Sequence, residues 1–181
     1  MSLLAQAQTL QDEANDLLTR LELERAFPSF GPALLIGSAR SGLLVLRDLD
    51  VMFTAPDATA GAVLAGLADI ARRVELLSVD FRDERADRRP TPQFTDERFY
   101  AVLRHAGWKI DLTIWVHAVE RPHVADALRV QAATVEEKEA ILRLKSTYSG
   151  YPDQVGGSEI YAAVLDHGVR STAELAAHLG R

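Results

Sequence analysis

The sequence predicts an α+β fold: a mixed five-stranded sheet with flanking helices, followed by a small helical C-terminal part. Three observations carry that expectation. Between Ala33 and Val116 the chain gathers β-branched and aromatic residues in short, partly alternating runs. Before and between those runs, leucines and alanines recur at helical spacing. From Pro122 onward the pattern is helical throughout.

The elements follow in order. Apolar residues from Leu3 to Leu23 recur every three to four positions, and Pro28 with Gly31-Pro32 closes that segment, giving a first helix and a turn. Ala33 to Ile36 reads as a short buried strand and Leu43 to Phe53 as a second. Pro56 and Asp57 then lead into a helix from about Ala58 to Arg73. VELLSVDFR from Val74, ERFYAVLRHAG from Glu97 and GWKIDLTIWV from Gly107 supply three more strands. Between the third and fourth lies DERADRRPTPQFTD, whose charges and two prolines cannot bury an apolar face, so it reads as a loop. Past Pro122, Thr134 with Glu137 and Ser171 with Glu174 match capping boxes, and Gly168 suits a helix C-terminus. Gly156-Gly157-Ser158 lacks the lysine and preceding strand of a phosphate loop and reads as a helix start. The expected division is a sheet domain with its N-terminal helix over 1–121 and a helical part packed on it over 122–181.

Composition narrows the classes of function. With 181 residues, 48% of them hydrophobic, the chain can bury the core of one domain with a helical appendage. It has no cysteine, which removes disulfides, thiolate metal sites and cysteine nucleophiles. The N-terminal stretch carries acidic residues through an amphipathic pattern and lacks the features of a signal peptide. No run approaches the roughly 18 apolar residues of a membrane span. The expectation is a soluble, cytoplasmic protein without a membrane partner. A formal net charge of −6 weighs against broad nucleic-acid binding, which rests on neutralising phosphates, although a local basic groove is compatible with an acidic protein. Nothing in the sequence fixes an oligomeric state.

Three acidic residues interrupt apolar strands instead of decorating helix surfaces: Asp48, Asp50 and Asp111. Carboxylates at i and i+2 of a strand point the same way. Two like charges about 4 Å apart repel by ~4 kcal/mol at an effective dielectric near 20, so a fold keeps such a pair mainly where a cation neutralises it. In KIDLTIWV, Ile110, Leu112, Ile114 and Val116 take one face of the strand, and Lys109, Asp111, Thr113 and Trp115 the other. If that strand lies beside the Asp48 strand, three carboxylates converge. Such a triad suits magnesium, a hard cation that prefers oxygen ligands and completes its shell with water and substrate phosphates.

Ile36, Gly37 and Ser38, nine intervening residues, then Asp48, Leu49 and Asp50, with Asp111 on a later strand, resemble the signature of the DNA polymerase β-like nucleotidyltransferase superfamily. The resemblance covers roughly residues 33 to 116. It implies a nucleotidyltransferase catalytic domain in which Asp48, Asp50 and Asp111 hold two magnesium ions and carry the catalysis. It also implies that Gly37 and Ser38, at the start of a helix, hold the triphosphate, ATP being the expected one. Arg40 is a further candidate for phosphate contact, although Arg40-Ser41-Gly42 and the apolar Leu43 to Leu46 depart from the arginine-glycine pair and polar, proline-containing spacer of relatives. Several similar enzymes place a lysine on a C-terminal helix to meet the phosphates, and Lys145, one of three lysines here, sits where such a helix would be. The implied reaction transfers a nucleoside monophosphate from a nucleoside triphosphate to a hydroxyl, releasing pyrophosphate. The small acidic chain favours a hydroxylated small-molecule acceptor, as in aminoglycoside-type members. The alternatives are transfer RNA or a partner protein as acceptor, as in toxin–antitoxin modules, or a binding module that has lost turnover.

Other residues carry blander readings. Arg82, Arg85, Arg88 and Arg89 alternate with acids, which favours a solvated loop over an acceptor-binding lid. His105, His117, His123, His167 and His178 show no metal-like spacing. Tyr148, Tyr151 and Tyr161 are expected to pack helices more readily than to stack on a base.

Overall fold

The structure is a computed structural model and describes residues 2–180. The chain forms two compact units. A sheet unit comprises Ala14–Ile36 and Arg47–Arg121, and a helical unit comprises Met1–Glu13, Gly37–Leu46 and Pro122–Arg181. The strands are β1 (Leu34–Ile36), β2 (Asp48–Thr54), β3 (Ser78–Glu84), β4 (Arg98–His105) and β5 (Trp108–Trp115). The helices are α1 (Leu3–Leu21), α2 (Leu23–Ala26), α3 (Gly37–Ser41), α4 (Ala60–Ala71), α5 (Pro122–Gln131), α6 (Val135–Thr147), α7 (Gly157–His167) and α8 (Thr172–His178). No helix among the described residues is long and apolar enough to cross a membrane.

In the sheet unit the strand order is β1-β2-β5-β4-β3. β2 and β5 run parallel, and the other neighbours are antiparallel. The mixed five-stranded sheet expected from the sequence is therefore present. β4 and β5 form a hairpin whose two loop residues, Ala106 (φ 46°) and Gly107 (φ 82°), both have positive φ, the backbone that matches strand twist in a two-residue turn. One face of the sheet is apolar and buried through Leu49, Val51 and Phe53 on β2, Ile110, Leu112 and Ile114 on β5, and Phe99, Ala101 and Leu103 on β4. Ala14, Leu17 and Leu21 of α1 and Val63, Leu67 and Ile70 of α4 are buried in the same unit. Phe27, just past α2, lies edge-on to Phe53 with ring centroids 5.2 Å apart. A Cβ on Gly66 of α4 would fall 2.1 Å from the Phe27 ring, so only glycine lets that helix approach so closely. The Thr59 hydroxyl starts α4 by accepting from the Ala62 N–H at 3.1 Å.

The helical unit has its own core, which includes Val130, Ile141, Leu144, Val155, Ile160, Val164 and Leu175. Both capping boxes are formed. The Thr134 hydroxyl accepts from the Glu137 N–H at 3.2 Å while the Glu137 carboxylate accepts from the Thr134 N–H at 2.8 Å. Ser171 and Glu174 repeat this at 3.3 and 3.0 Å. Gly168 ends α7 with a left-handed φ of 67°. Gly156 precedes α7, and its N–H donates to the Glu159 carboxylate at 2.8 Å, so this glycine pair starts a helix.

Several boundaries differ from the sequence reading. Leu43–Leu46 is not strand, and β2 begins only at Asp48. The Leu43 N–H donates to the Ser38 carbonyl at 3.0 Å, its own carbonyl accepts from Lys145 Nζ at 2.5 Å, and its side chain joins the helical core. Those backbone groups are thus committed to partners other than a strand ladder. β3 starts at Ser78, not Val74, because the Val74 N–H continues the end of α4 by donating to Ile70 at 3.1 Å. It also runs on to Glu84, into the predicted loop, where Glu84 pairs in register with Arg98. The first helix is interrupted at Glu22, whose φ of 44° separates α1 from α2.

Candidate functional site

The register of the parallel pair β2–β5 determines what gathers on the polar face of the sheet. Asp50 lies opposite Asp111 and Asp48 opposite Lys109. Directly opposed residues share a face and sit about 4.8 Å apart. Asp48 and Asp50, two positions apart on β2, therefore share that face with Asp111. One carboxylate oxygen from each of the three lies within 4.8 Å of the others.

Burial makes this cluster electrostatically demanding. Burial raises the Asp48 carboxyl above its ordinary range; the charge of Lys109 opposes that rise and the neighbouring negative charge of Asp111 adds to it. Asp111 is only 8% exposed, and its Oδ1 is buried without a hydrogen-bond partner among the described residues. An unsatisfied buried polar atom costs on the order of 1–3 kcal/mol, more when charged. Nearby Tyr100 is pushed up to about 12 by burial and by the negative charge of Asp111.

A cation already serves part of the cluster. Lys109 Nζ donates to Asp111 Oδ2 at 2.5 Å and to Asp48 Oδ1 at 3.4 Å. Burial would lower its pKa, but the hydrogen bond to Asp111 and the charges of Asp48 and Asp111 outweigh it and hold the ammonium charged well above the usual lysine range. Sequence reading put Lys109 on the same face as Asp111 without assigning it a role. The signal was its spacing of two from Asp111, and only the β2–β5 register adds Asp48 as a second partner.

The carboxylates fit a divalent metal. All three donors are oxygens, they converge within a few ångströms, and one buried oxygen of Asp111 is left unsatisfied. A donor set of carboxylates alone suits a hard cation of the magnesium class.

A second constellation lies within the helical unit. Gly37 opens α3 with a φ of 61°, a conformation that glycine adopts at little cost. Beside it, the Ser38 hydroxyl accepts from Lys145 Nζ at 2.7 Å and lies 3.3 Å from the Tyr161 hydroxyl. Lys145 also donates to the Leu43 carbonyl at 2.5 Å, and the Tyr151 and Tyr161 ring centroids lie 5.4 and 5.6 Å from its nitrogen. Lys145 is only 3% exposed. The structure therefore brings Ser38 and Lys145 together, while Arg40 is exposed on α3. Tyr161 packs in the helical core and its hydroxyl joins this cluster.

The arginines of the 82–89 segment have local partners. Arg82 pairs with Asp80 at 2.5 Å, Arg85 and Arg88 pair with Asp83 at 2.7 and 2.8 Å, and Arg89 donates to the Ala86 and Thr95 carbonyls at 3.0 Å. His105 is buried against the Glu75 carbonyl at 2.6 Å, and His117 pairs with Glu97 at 2.8 Å. His167 and His178 sit ring to ring at 4.5 Å.

Neither a family model nor a curated protein matches the chain. Solved structures do match its fold. One is a cytoplasmic RNA terminal U-transferase, with a TM-score of 0.60 and 16% identity, covering 88% of this chain and 49% of that one. Another is the Cid1 poly(U) polymerase with magnesium and 3'-dATP bound, with a TM-score of 0.59 and 16% identity, covering 86% of this chain and 48% of that one. The chain spans about half the length of these solved relatives. At this identity the likeness is one of fold, which this chain shares with those two solved structures.

Proposed function

We propose that this chain is a magnesium-dependent nucleotidyltransferase that moves a nucleoside monophosphate from a nucleoside triphosphate, ATP being the expected donor, to a hydroxyl of a small molecule, releasing pyrophosphate. The observation that carries this reading is the convergence of Asp48, Asp50 and Asp111 from two parallel neighbouring strands. Asp48, Asp50 and Asp111 are the residues that would hold the metal. Magnesium bound there would supply neutralisation of the charge that develops on the attacking and leaving oxygens of an in-line displacement at phosphorus.

The chain's own groups do the rest. Asp111 serves as general base: as the acceptor oxygen bonds to the α-phosphorus and the bond to pyrophosphate breaks, its carboxylate takes the hydroxyl proton. The Gly37 and Ser38 turn supplies backbone N–H groups and a hydroxyl to the phosphates. Lys145 orients that hydroxyl and adds positive charge, and Arg40 contributes a solvent-side contact.

The test is a screen of the four nucleoside triphosphates with mixed hydroxylated small molecules, read by pyrophosphate release and product mass. The wild-type protein is expected to release pyrophosphate and label a small acceptor. Asp50→Asn should lower release by ~10³-fold, equivalent to about 4 kcal/mol of barrier, with the circular dichroism spectrum unchanged. Undiminished release in that variant overturns the assignment. Label appearing only on RNA or protein would move the acceptor to a macromolecule.

A further inference from the structure

The proposed chemistry leaves Lys109 without a role, yet Lys109 contacts two of the three carboxylates. Its ammonium lies 2.5 Å from one oxygen of Asp111 and 3.4 Å from one oxygen of Asp48. The other oxygen of Asp111 is buried and unbonded. A divalent cation bound by oxygens of Asp48 and Asp111 would sit about 2.1 Å from each of them. The ammonium and the ion would then share the same two ligands within a few ångströms, where like charges repel. Repulsion at that range sets the ammonium's contacts and ion binding in competition.

The side chain is free enough to leave. Lys109 is 30% exposed, and lysine is a compact charge on a flexible four-carbon stem. Its cross-strand neighbours are Asp48 on β2 and Arg104 on β4, so the exposed face next to it offers water and not a second apolar wall. Lys109 is a single positive charge set among the three converging carboxylates, the same electrostatic part that a bound cation would play.

We propose that Lys109 is the resident cation of the triad and is exchanged for a divalent ion. With no ion bound, its ammonium holds the converging carboxylates together. Ion entry displaces it, so the affinity for metal is set by competition with a side chain of the same protein. The inference rests on the triad being the metal site of the nucleotidyltransferase reading.

The test uses Mn²⁺ alone, titrated into the intact protein and followed by the free-ion paramagnetic resonance signal, with no nucleotide present. Lys109→Met is expected to bind Mn²⁺ about tenfold more tightly than wild type. It should also melt at a lower temperature without metal and recover when Mn²⁺ is added. Lys109→Gln, which keeps a polar stem, should show the same tightening if the methionine variant does not fold. Lys109→Arg, which keeps the charge, should bind no more tightly than wild type. Equal or weaker Mn²⁺ binding by Lys109→Met and Lys109→Gln overturns the exchange. If the wild type binds Mn²⁺, Asp50→Asn abolishes that binding and neither Lys109 variant tightens it, only the exchange falls. If no form of the protein binds Mn²⁺, the exchange and the metal-dependent function fall together.

Discussion

Lys109 in the sheet unit and Lys145 in the helical unit are both held by oxygen atoms, and the oxygens differ in kind. Lys109 is half-buried and bonded to ionised carboxylates, so a second cation can compete for its partners. Lys145 is buried and donates to a hydroxyl and a carbonyl beside two aromatic rings. Dipoles of that kind hold an ammonium in place without inviting a metal ion. Each lysine therefore identifies its surroundings: one marks a place where cations are exchanged, the other a fixed positive charge that ties Ser38 and Leu43 to α6. The contrast also separates two kinds of energetic consequence, ion affinity at Lys109 and fold stability at Lys145.

The largest stability effect should come from Lys145. Lys145→Met leaves the Ser38 hydroxyl and the Leu43 carbonyl without their buried donor, and should destabilise the protein by about 2–4 kcal/mol in urea denaturation. A loss below about 0.5 kcal/mol would erase the contrast, since Lys145 would then be as dispensable as a surface lysine. A smaller effect belongs to the helix that carries it. Thr134→Ala removes the hydroxyl that accepts the Glu137 N–H and should cost about 1 kcal/mol by the same measurement.

The smallest expected effect lies at an ion pair in the sheet unit. The hydrogen bond from Arg85 lowers Asp83 to about 2; partial burial opposes this and Arg88 reinforces it. Because the folded value lies below the ordinary carboxylate value of 3.8, the stabilisation is present above pH 3.8 and is lost as the pH falls through about 2. Arg88 is largely exposed, so the contribution is discounted to below about 1 kcal/mol. Asp83→Asn should therefore be slightly less stable than wild type at pH 7 and equal to it near pH 2. A constant difference across that range would mean that the hydrogen-bonded shape of the loop matters and its charge does not.

Much of the site was legible because charged residues in apolar strands are costly and therefore conspicuous. Asp48, Asp50 and Asp111 announced themselves that way, and alternation placed Lys109 and Asp111 on one face. Strand register was the missing information. Whether Asp50 or Asp48 lies opposite Asp111 depends on pairing between segments some 60 residues apart, and that pairing is what turns Lys109 into a partner of both acids. The Leu43–Leu46 run was misread for a related reason. Its apolarity correctly signalled burial, but a short apolar run looks the same whether it joins a sheet or fills a helical core. Lys145 was placed by resemblance, while its burial was written in the spacing: it follows Ile141 by four residues and so shares that residue's inward face. The arginines of the 82–89 segment needed coordinates, since alternating charges do not say which acid takes which arginine.

The most direct measurement is the anomalous diffraction of crystals soaked in Mn²⁺. The convergence of acids predicts a peak at bonding distance, about 2.2 Å, from oxygens of Asp48, Asp50 and Asp111, with the Lys109 ammonium moved away from Asp111. Soaked crystals with no peak between those carboxylates, or with manganese bound only elsewhere, would contradict the metal centre and with it the proposed nucleotidyl transfer.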